Sequence, residues 1–351
     1  MDLSNYDPNG VGNPNNNIFG LPTTEEDARL IILPIPWEVT VSYGNGTARA
    51  PDDILRASLQ VDLFDPDMNE EWKEGFYMRP ADQHILLKSD YLRREAELYI
   101  DYISKGEIVA DNQFMCRTVK DINEGSEFLN QWVYDQTMAL LQKDKWVGLL
   151  GGDHSTPLGF MKALAEKHGE FGILQIDAHC DLRKAYEGLT YSHASIMYNA
   201  LNEIPNVKKL VQVGIRDFGS DEWDYIHENS SRIQTYFDKK IKQKLFNGET
   251  WQSQVADIVS HLPEKVYISF DIDGLDPKLC PNTGTPVPGG LELEQIHFLF
   301  DQTIAAGKKI IGFDLNEVGI DVNADWDANV GARALYKLCN ILVKSNRSAS
   351  K

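Results

Sequence analysis

The sequence lacks most of the features of secreted, membrane-spanning or metal-thiolate proteins. It has no CxxC pair and no disulfide-framework spacing, which favours a reducing compartment. It contains no run of eighteen apolar residues, and its first residues, MDLSNYDPNG, lack the basic and apolar regions of a signal peptide. The protein is therefore expected to be soluble and cytoplasmic. Its four cysteines are Cys116, Cys180, Cys280 and Cys339.

Positive charge is also scarce. The chain has 34 Lys and Arg against 53 Asp and Glu, a formal net charge of −19. Without a basic stripe to neutralise phosphates, nucleic acid is an unfavourable partner. The pair Gly151-Gly152 lacks the flanking glycines and lysine of a phosphate-binding loop. The acidic balance is compatible with a cationic small substrate, although such a balance more often serves solubility.

No Pro-, Ser- or Gly-rich linker divides the 351 residues. A chain of this length can form one large α/β domain, so we predict a single domain over residues 30–351. Residues 1–29 are predicted to be an N-terminal extension, since the first 24 are rich in Asn, Pro and Gly and cannot form a core alone. The region around residues 62–123 has no clean period in its first part and is interpreted as an irregular insertion.

Short apolar runs alternate with helical periods along the rest of the chain. Repeated βα units of this kind predict a mostly parallel sheet with helices on both faces. The predicted strands are Leu30–Ile35, Trp146–Leu150, Ile173–Asp177, Lys209–Ile215, Ile233–Tyr236, Val266–Phe270 and Ile310–Leu315. A helix is predicted to start at Ala50, and the others are Tyr91–Ser104, Ser126–Lys143, Leu158–His168, Ser192–Leu201, Ser220–Glu228, Trp251–Leu262, Glu292–Ala306 and Ala328–Val343.

Three of these strands run directly into residues that bind metals. GGDHS, IDAHCD and DIDGLDP supply two histidines and four aspartates, namely His154, Asp177, His179, Asp181, Asp271 and Asp273. Alternate residues leave a strand on the same side, and the carboxyl ends of parallel strands meet in one crevice, so these groups should converge. Oxygen-rich sites with a minority of imidazoles suit Mn²⁺ or a similar divalent ion. The pattern therefore predicts a pair of metal ions.

GGDHS, DAHCD and SFDIDGLDP, in this order, resemble the metal-binding signatures of the ureohydrolases, the family of arginase, agmatinase and formiminoglutamase. PWEVTVSYGNGTARAPDDILRAS and NTGTPVPGGL are similar to further segments of that family. The resemblance runs from about Leu30 to the C-terminus and is weakest over residues 62–123. It implies a three-layer α/β/α domain with an eight-stranded, mostly parallel sheet and a binuclear manganese centre, for which Ni²⁺ is the alternative metal.

The resemblance also implies a role for each ligand. One metal would be bound by His154, Asp177, Asp181 and Asp271, and the other by Asp177, His179, Asp271 and Asp273. Asp177 and Asp271 would therefore bridge the two ions, which would activate a shared water.

Two further residues match family positions outside the ligand set. Glu317, in FDLNEVGID, matches the glutamate that binds the guanidinium, and the alternative is an ordinary loop carboxylate. His193, in YSHAS, matches a mobile histidine that shuttles protons, and the alternative is a polar residue that caps the next helix. Together with Asp177, these residues are the predicted catalytic groups.

The stretch DLRKAYEGLTYSHAS looks more like agmatinases than arginases, which place Asn where this chain has Arg183. Arg183 is a predicted substrate-binding residue beside Glu317 and His193. A cation there disfavours the ammonium of agmatine unless Arg183 turns away, for example to pair with Glu187. The predicted reaction is hydrolysis of agmatine to putrescine and urea.

Several alternatives stay open at this point. The extension NPNNNIFGLPTTEEDA resembles a branch that includes hydrolases of free guanidine, which would yield urea and ammonia. An arginase-like activity is a further enzymatic alternative. A metal-binding but catalytically silent family member that acts in assembly is the alternative from another functional class. The resemblance also implies a homo-oligomer, a trimer or hexamer, with no membrane partner.

Overall fold

The computed structural model describes residues 6–321 and 323–347. In this part of the chain eight strands form one sheet in the order β2-β1-β3-β8-β7-β4-β5-β6, and all neighbouring strands are parallel. The strands are β1 (Leu30–Pro34), β2 (Phe76–Met78), β3 (Trp146–Leu150), β4 (Phe171–Ile176), β5 (Val207–Ile215), β6 (Ile233–Phe237), β7 (Lys265–Asp271) and β8 (Lys309–Asn316). Residues 1–5 of the predicted extension and 348–351 of the predicted domain lie outside the described residues.

Ten α-helices connect or flank these strands in the described part of the chain. They are α1 (Ala50–Ser58), α2 (Gln83–Ser104), α3 (Gln113–Leu141), α4 (Leu158–His168), α5 (Ile196–Glu203), α6 (Ser220–Glu228), α7 (Asp238–Phe246), α8 (Trp251–Ser260), α9 (Leu293–Ala305) and α10 (Trp326–Arg347). None of these helices is both long and apolar enough to cross a membrane.

Alternate strand residues enter two separate apolar clusters, one on each face of the sheet. In β1, Leu30 and Ile32 pack into the cluster that contains much of α10, whereas Ile31 and Leu33 pack into the cluster that contains α3 and α4. Both faces are covered, as an all-parallel sheet requires. The predicted three-layer architecture with an eight-stranded parallel sheet is confirmed.

The largest differences from the prediction lie between residues 83 and 141. Helix α2 begins at Gln83, earlier than predicted, since the Asp82 carboxylate accepts hydrogen bonds from two N–H groups of the first turn (2.8 and 3.1 Å). Helix α3 begins at Gln113, also earlier than predicted, with Asn112 as its cap. Most of the stretch that was interpreted as irregular is therefore helical.

Two short elements were also missed or only weakly indicated. Helix α7 was not predicted because only Asp238 and Ile241 of its nine residues are buried, which leaves no apolar stripe to detect. Strand β2 has three residues and pairs with β1 at the edge of the sheet. A strand this short gives little alternation in the sequence.

The described part of the N-terminal extension lies against this edge. Asn17 binds both backbone groups of Met78 in β2: its side-chain oxygen accepts from the N–H (2.6 Å) and its amide donates to the carbonyl (3.1 Å). The next residues, Ile18 and Phe19, are buried, and the Phe19 ring lies 4.9 Å from the ring of Tyr336. The extension is thus anchored by polar and apolar contacts.

Lysines lie along the amino edge of the sheet, where the helices end. Lys145 donates to the carbonyls of Glu25, Glu26 and Ala28 at 2.6–3.2 Å. Lys265 donates to the carbonyl of His168 at the end of α4 (2.5 Å). The Lys265 cation complements the partial negative charge at the C-terminus of α4, whereas Lys145 binds the carbonyls of a turn that precedes β1.

Candidate active site

The carboxyl edge of the sheet gathers the six predicted ligands into one buried cluster. Nδ1 of His154 lies 3.0 Å from a carboxylate oxygen of Asp181, 3.1 Å from one of Asp177 and 3.3 Å from one of Asp271. Nδ1 of His179 lies 3.0 Å from the carboxylate of Asp273. The three sequence signatures therefore meet, as the ends of β3, β4 and β7 are brought together.

Two overlapping groups in this cluster can each hold a metal ion. They are His154, Asp177 and Asp181, and Asp177, His179 and Asp273, and in each group the ligand atoms lie within 4.8 Å of one another. Asp177 is shared, which is what a bridging ligand requires. Buried atoms of the cluster, His154 Nδ1 and Asp273 Oδ2, make no hydrogen bond among the described residues. A bound cation would satisfy both, so the donor set fits a metal centre.

Backbone N–H groups orient the carboxylates. Asp177 accepts from the N–H of His179 (2.6 Å), and Asp273 accepts from the N–H of Ala178 (2.9 Å). Asp271 accepts from the N–H of Asp273 (2.9 Å). Each of these bonds uses one oxygen of a carboxylate. The second oxygens of Asp271 and Asp273 face the histidines of the cluster, and the second oxygen of Asp177 also accepts from the Gln175 amide (2.8 Å).

The electrostatics of the cluster favour positive charge. Burial and the charges of Asp273 and Asp177 raise the pKa of Asp271 well above its ordinary value, and burial and Asp177 raise the pKa of Asp181 to about 7. Burial opposes protonation of His179, yet the nearby negative charges of Asp273 and Asp177 raise its pKa to about 12. The crowding of buried carboxylates that raises these pKa values equally favours a bound cation.

A buried polar chain holds the opposite side of the His154 ring. Nε2 of His154 lies 2.9 Å from Oγ of Ser269, which donates to Asp314 (3.1 Å). Asp314 also accepts from the Tyr267 hydroxyl and the Asn316 amide. This chain turns Nδ1 towards the aspartates. Sequence reasoning missed it, although polar residues at alternate positions of β7 and β8, in otherwise apolar strands, were a usable signal.

Glu317 lies directly beside the cluster. Its backbone has φ of +61°, and its Oε1 accepts from the N–H of His154 (2.8 Å). Its Oε2 is buried and makes no hydrogen bond among the described residues. A Cβ on Gly284 would come within 2.8 Å of this oxygen, so glycine leaves space there. The structure thus presents one free carboxylate oxygen next to an open position.

His193 lines a cavity beside the cluster, together with His179 and Asp181. Its Nδ1 lies 3.3 Å from Oγ1 of Thr40, and its backbone N–H donates to that oxygen (3.0 Å). The Thr40 hydroxyl donates to Asp153 (3.1 Å). Burial, followed by the positive charges of His179 and His154, lowers the pKa of His193 to about 4. His193 is therefore neutral, and Thr40, which the sequence did not reveal, supports it together with Asp153.

A cavity of about 310 Å³ opens from the cluster to the surface. His179, Asp181 and His193 line it towards the cluster, and further residues along the same loops line the rest. These further residues are Ser42, Tyr43, Arg183, Tyr186, Asp217, Glu222 and Thr285–Val287. The Asp217 carboxylate is exposed and has no ion-pair partner among the described residues.

Arg183 lies between this cavity and a second one of about 670 Å³. Its guanidinium lies 4.7 Å from the centre of the Tyr186 ring, and its Nε lies 3.5 Å from the Glu222 carboxylate. Glu222 in turn accepts from the N–H of Leu182 (3.1 Å) and of Gly219 (2.8 Å). The ion-pair partner is thus Glu222 and not the alternative that the sequence suggested, Glu187.

Comparison with known proteins identifies the family of this chain. The sequence model of the arginase family matches residues 28–340. An N(1)-aminopropylagmatine ureohydrolase of Thermus thermophilus is 30% identical over 323 residues, which are 91% of this chain and 92% of that protein. The agmatinase of Bacillus cereus is 25% identical over 84% of both chains.

The fold has solved counterparts. The agmatine ureohydrolase of Thermoplasma volcanium superposes with a TM-score of 0.68 at 22% identity, covering 92% of each chain. Bacillus cereus arginase gives a TM-score of 0.61 at 20% identity, covering 88% of this chain and 97% of that one. The ureohydrolase relatives are hydrolases that act on C–N bonds of guanidino compounds. With a family match over nearly its whole length, this chain belongs to the arginase family of ureohydrolases.

Proposed function

We propose that the protein is a metal-dependent hydrolase that releases urea from a small guanidino compound, with agmatine as the first candidate. The observation that carries this proposal is the two ligand groups that share Asp177 and lie beside the free carboxylate oxygen of Glu317. A catalytically silent member would have no need for this free oxygen beside an intact ligand set.

The six ligands are the residues that would hold two divalent ions, Mn²⁺ in the first place and Ni²⁺ as the alternative. Such ions supply Lewis-acid activation of water. Glu317 then holds the planar guanidinium through its free Oε2, an ionic hydrogen bond in a dry environment. The positive charges of ions and substrate favour the ionised form of this carboxyl group.

His193 is the proposed proton carrier. The single proton of the Thr40 hydroxyl is donated to Asp153, so Nδ1 of His193 must itself carry a proton and donate it to Thr40. Nε2 is then the free acceptor. It takes a proton as the oxygen of water bonds to the guanidino carbon, and it returns that proton to the departing amine as the C–N bond breaks.

The tail of the substrate would extend towards Asp217 and Arg183. Because Glu222 and the Tyr186 ring offset the Arg183 charge, the unpaired Asp217 carboxylate is the group left to bind the ammonium of agmatine. A longer polyamine, such as the aminopropylagmatine in the names of relatives, would have to pass Arg183 to reach the second cavity. The small cavity supports free guanidine as the second candidate.

Urea release should be measured on agmatine, guanidine, 4-guanidinobutyrate and arginine, after loading with Mn²⁺ or with Ni²⁺. We expect agmatine to give the highest kcat/KM. The matched variant Asp217→Asn should raise KM for agmatine and leave kinetics on guanidine unchanged. Turnover of guanidine alone would instead establish the second candidate, and no urea from any of the four compounds would contradict the proposed function.

A further inference from the structure

Helix α2 has an apolar stripe that the rest of the described chain leaves uncovered. Leu87, Tyr91 and Leu98 expose 66%, 62% and 54% of their surfaces. The helix already buries a different face against the domain, formed by Ile85, Leu86, Leu92, Ala96 and Tyr99. A surface helix normally has one apolar face, so the second one points to an additional contact.

The stripe has the spacing of a helix-pairing seam. Leu87, Tyr91, Arg94 and Leu98 follow one another at intervals of four, three and four residues, the repeat that keeps one face of a helix against a partner helix. The helix contains 22 residues and is therefore about 33 Å long. This is enough for three heptads of contact.

When two copies of α2 run antiparallel, the charges beside the stripe of one copy face opposite charges of the other copy. With a two-fold axis between residues 94 and 95, Arg94 of one copy faces Glu95 of the other, and Tyr91 faces Leu98. Lys88 faces Asp101 in the same arrangement. A parallel pairing would instead place Arg94 against Arg94, so the charges favour the antiparallel one.

The central pair cannot form within one chain. Arg94 and Glu95 are consecutive, and consecutive helical residues do not face each other. Neither has an ion pair elsewhere in the described part of the chain. Both are therefore available to a partner. The flanking charges already have contacts in the chain: Lys88 lies 4.8 Å from the centre of the Phe128 ring, and Asp101 pairs with Lys105 (2.6 Å).

We infer that α2 is the docking surface for a second copy of this chain, packed antiparallel about a two-fold axis. Such a contact is closed, because both copies use the same patch. No residue of α2 lines the cavity at the metal cluster, so the contact does not depend on the proposed reaction. The same pairing doubles any assembly that other surfaces of the chain form.

Molar mass by light scattering tests the inference on the full-length protein. Tyr91→Lys and Leu98→Lys should each halve the mass of the wild-type assembly, because each places two buried cations in the contact. Far-UV circular dichroism should stay unchanged, since both side chains are exposed in the single chain. A wild-type protein with the mass of one chain, or variants with the wild-type mass, would overturn the inference.

A charge exchange gives the sharper test. Arg94→Glu should halve the mass, since two carboxylates then face each other, and Glu95→Arg should do the same with two cations. The double exchange, Arg94→Glu with Glu95→Arg, should restore the wild-type mass. A mixture of the two single variants should also associate, because every acid then faces a base. If neither the double exchange nor the mixture associates, the antiparallel pairing is wrong.

Discussion

The two edges of the sheet carry opposite chemistry, although the same strands form both. At the amino edge, Lys145 binds the carbonyl groups of a turn, and Lys265 binds the carbonyl group at the end of α4. At the carboxyl edge, the side chains of four aspartates face two histidines, and no lysine or arginine side chain of the described residues pairs with them. The first edge satisfies its own charges and stabilises the fold. The second edge has negative charges that no lysine or arginine of the described residues balances, and such a site favours the binding of metal cations.

The largest effect on the difference between the two edges is expected from Asp271→Ala at the carboxyl edge. It removes a proposed ligand of both ions, so we expect loss of metal and a fall in turnover of about 10³-fold or more. Metal analysis by mass spectrometry and urea release check this. A fully loaded and active variant would show that Asp271 does not bridge.

Glu317→Gln separates metal binding from substrate binding. Glu317 is not one of the six proposed ligands, and its Oε1 is held by the backbone N–H of His154, so metal content should be unchanged. The guanidinium loses a desolvated ionic partner, which should cost roughly 2–5 kcal/mol, or about 30- to 5,000-fold in kcat/KM. A metal-free Glu317→Gln protein would place this carboxylate among the ligands.

Ser269→Ala tests the polar chain behind His154. Without the hydroxyl, the imidazole loses the partner of Nε2, and metal affinity should fall about 10- to 100-fold. Competition with a chelator measures this affinity without any assay of turnover. Ser345→Ala is the matched control, because its hydroxyl accepts from the N–H of Ile310 near the amino end of β8. The control should keep the affinity of the wild type.

The smallest effect is expected at the amino edge and concerns stability only. Burial, followed by the charges of Lys265, Lys309 and Lys167, lowers the pKa of His168 to about 4. Between pH 6.5 and 4 the unfolded chain therefore binds more protons than the folded one, and stability falls as the pH drops through this window.

His168→Gln should remove this pH dependence of the free energy of unfolding. We expect its size to be roughly 1 kcal/mol, since the ring is partly exposed and solvent screens its interactions. Thermal unfolding at pH 7 and pH 5 measures it, with the wild type as reference. Urea release at pH 7 should stay unchanged. An equal loss of stability on acidification in both proteins would assign the effect to other groups.

The positions of the six proposed ligands were predictable because each signature is contiguous, and alternate positions after a strand place the side chains on one side. Ser269 and Asp314 were not, since their contact depends on the register between β7 and β8, which the sequence does not state. The same reason explains why the sequence suggested Glu187, and not Glu222, as an ion-pair partner of Arg183. Glu222 comes from a distant loop and helix start, whereas Glu187 is merely close in sequence.

The fold was predictable where apolar runs were continuous and poorly predictable where polar residues define an element. Asp82 and Asn112 set the starts of α2 and α3 through side-chain caps, and no apolar period marks those positions. The eight-stranded sheet was implied by resemblance. The apolar runs alone predicted seven of its strands and did not place β2 (Phe76–Met78).

The two hydrogen bonds between Asn17 and Met78 also have a consequence for self-association. An outer strand normally presents free N–H and C=O groups that can template the addition of a foreign strand and so start aggregation. Asn17 occupies both groups of Met78 and thus imitates the next residue of a strand without extending the sheet. The extension therefore blocks the addition of a further strand beside β2. Removal of the extension would leave the proposed active site in place and expose the outer edge of β2 to strand pairing with another molecule.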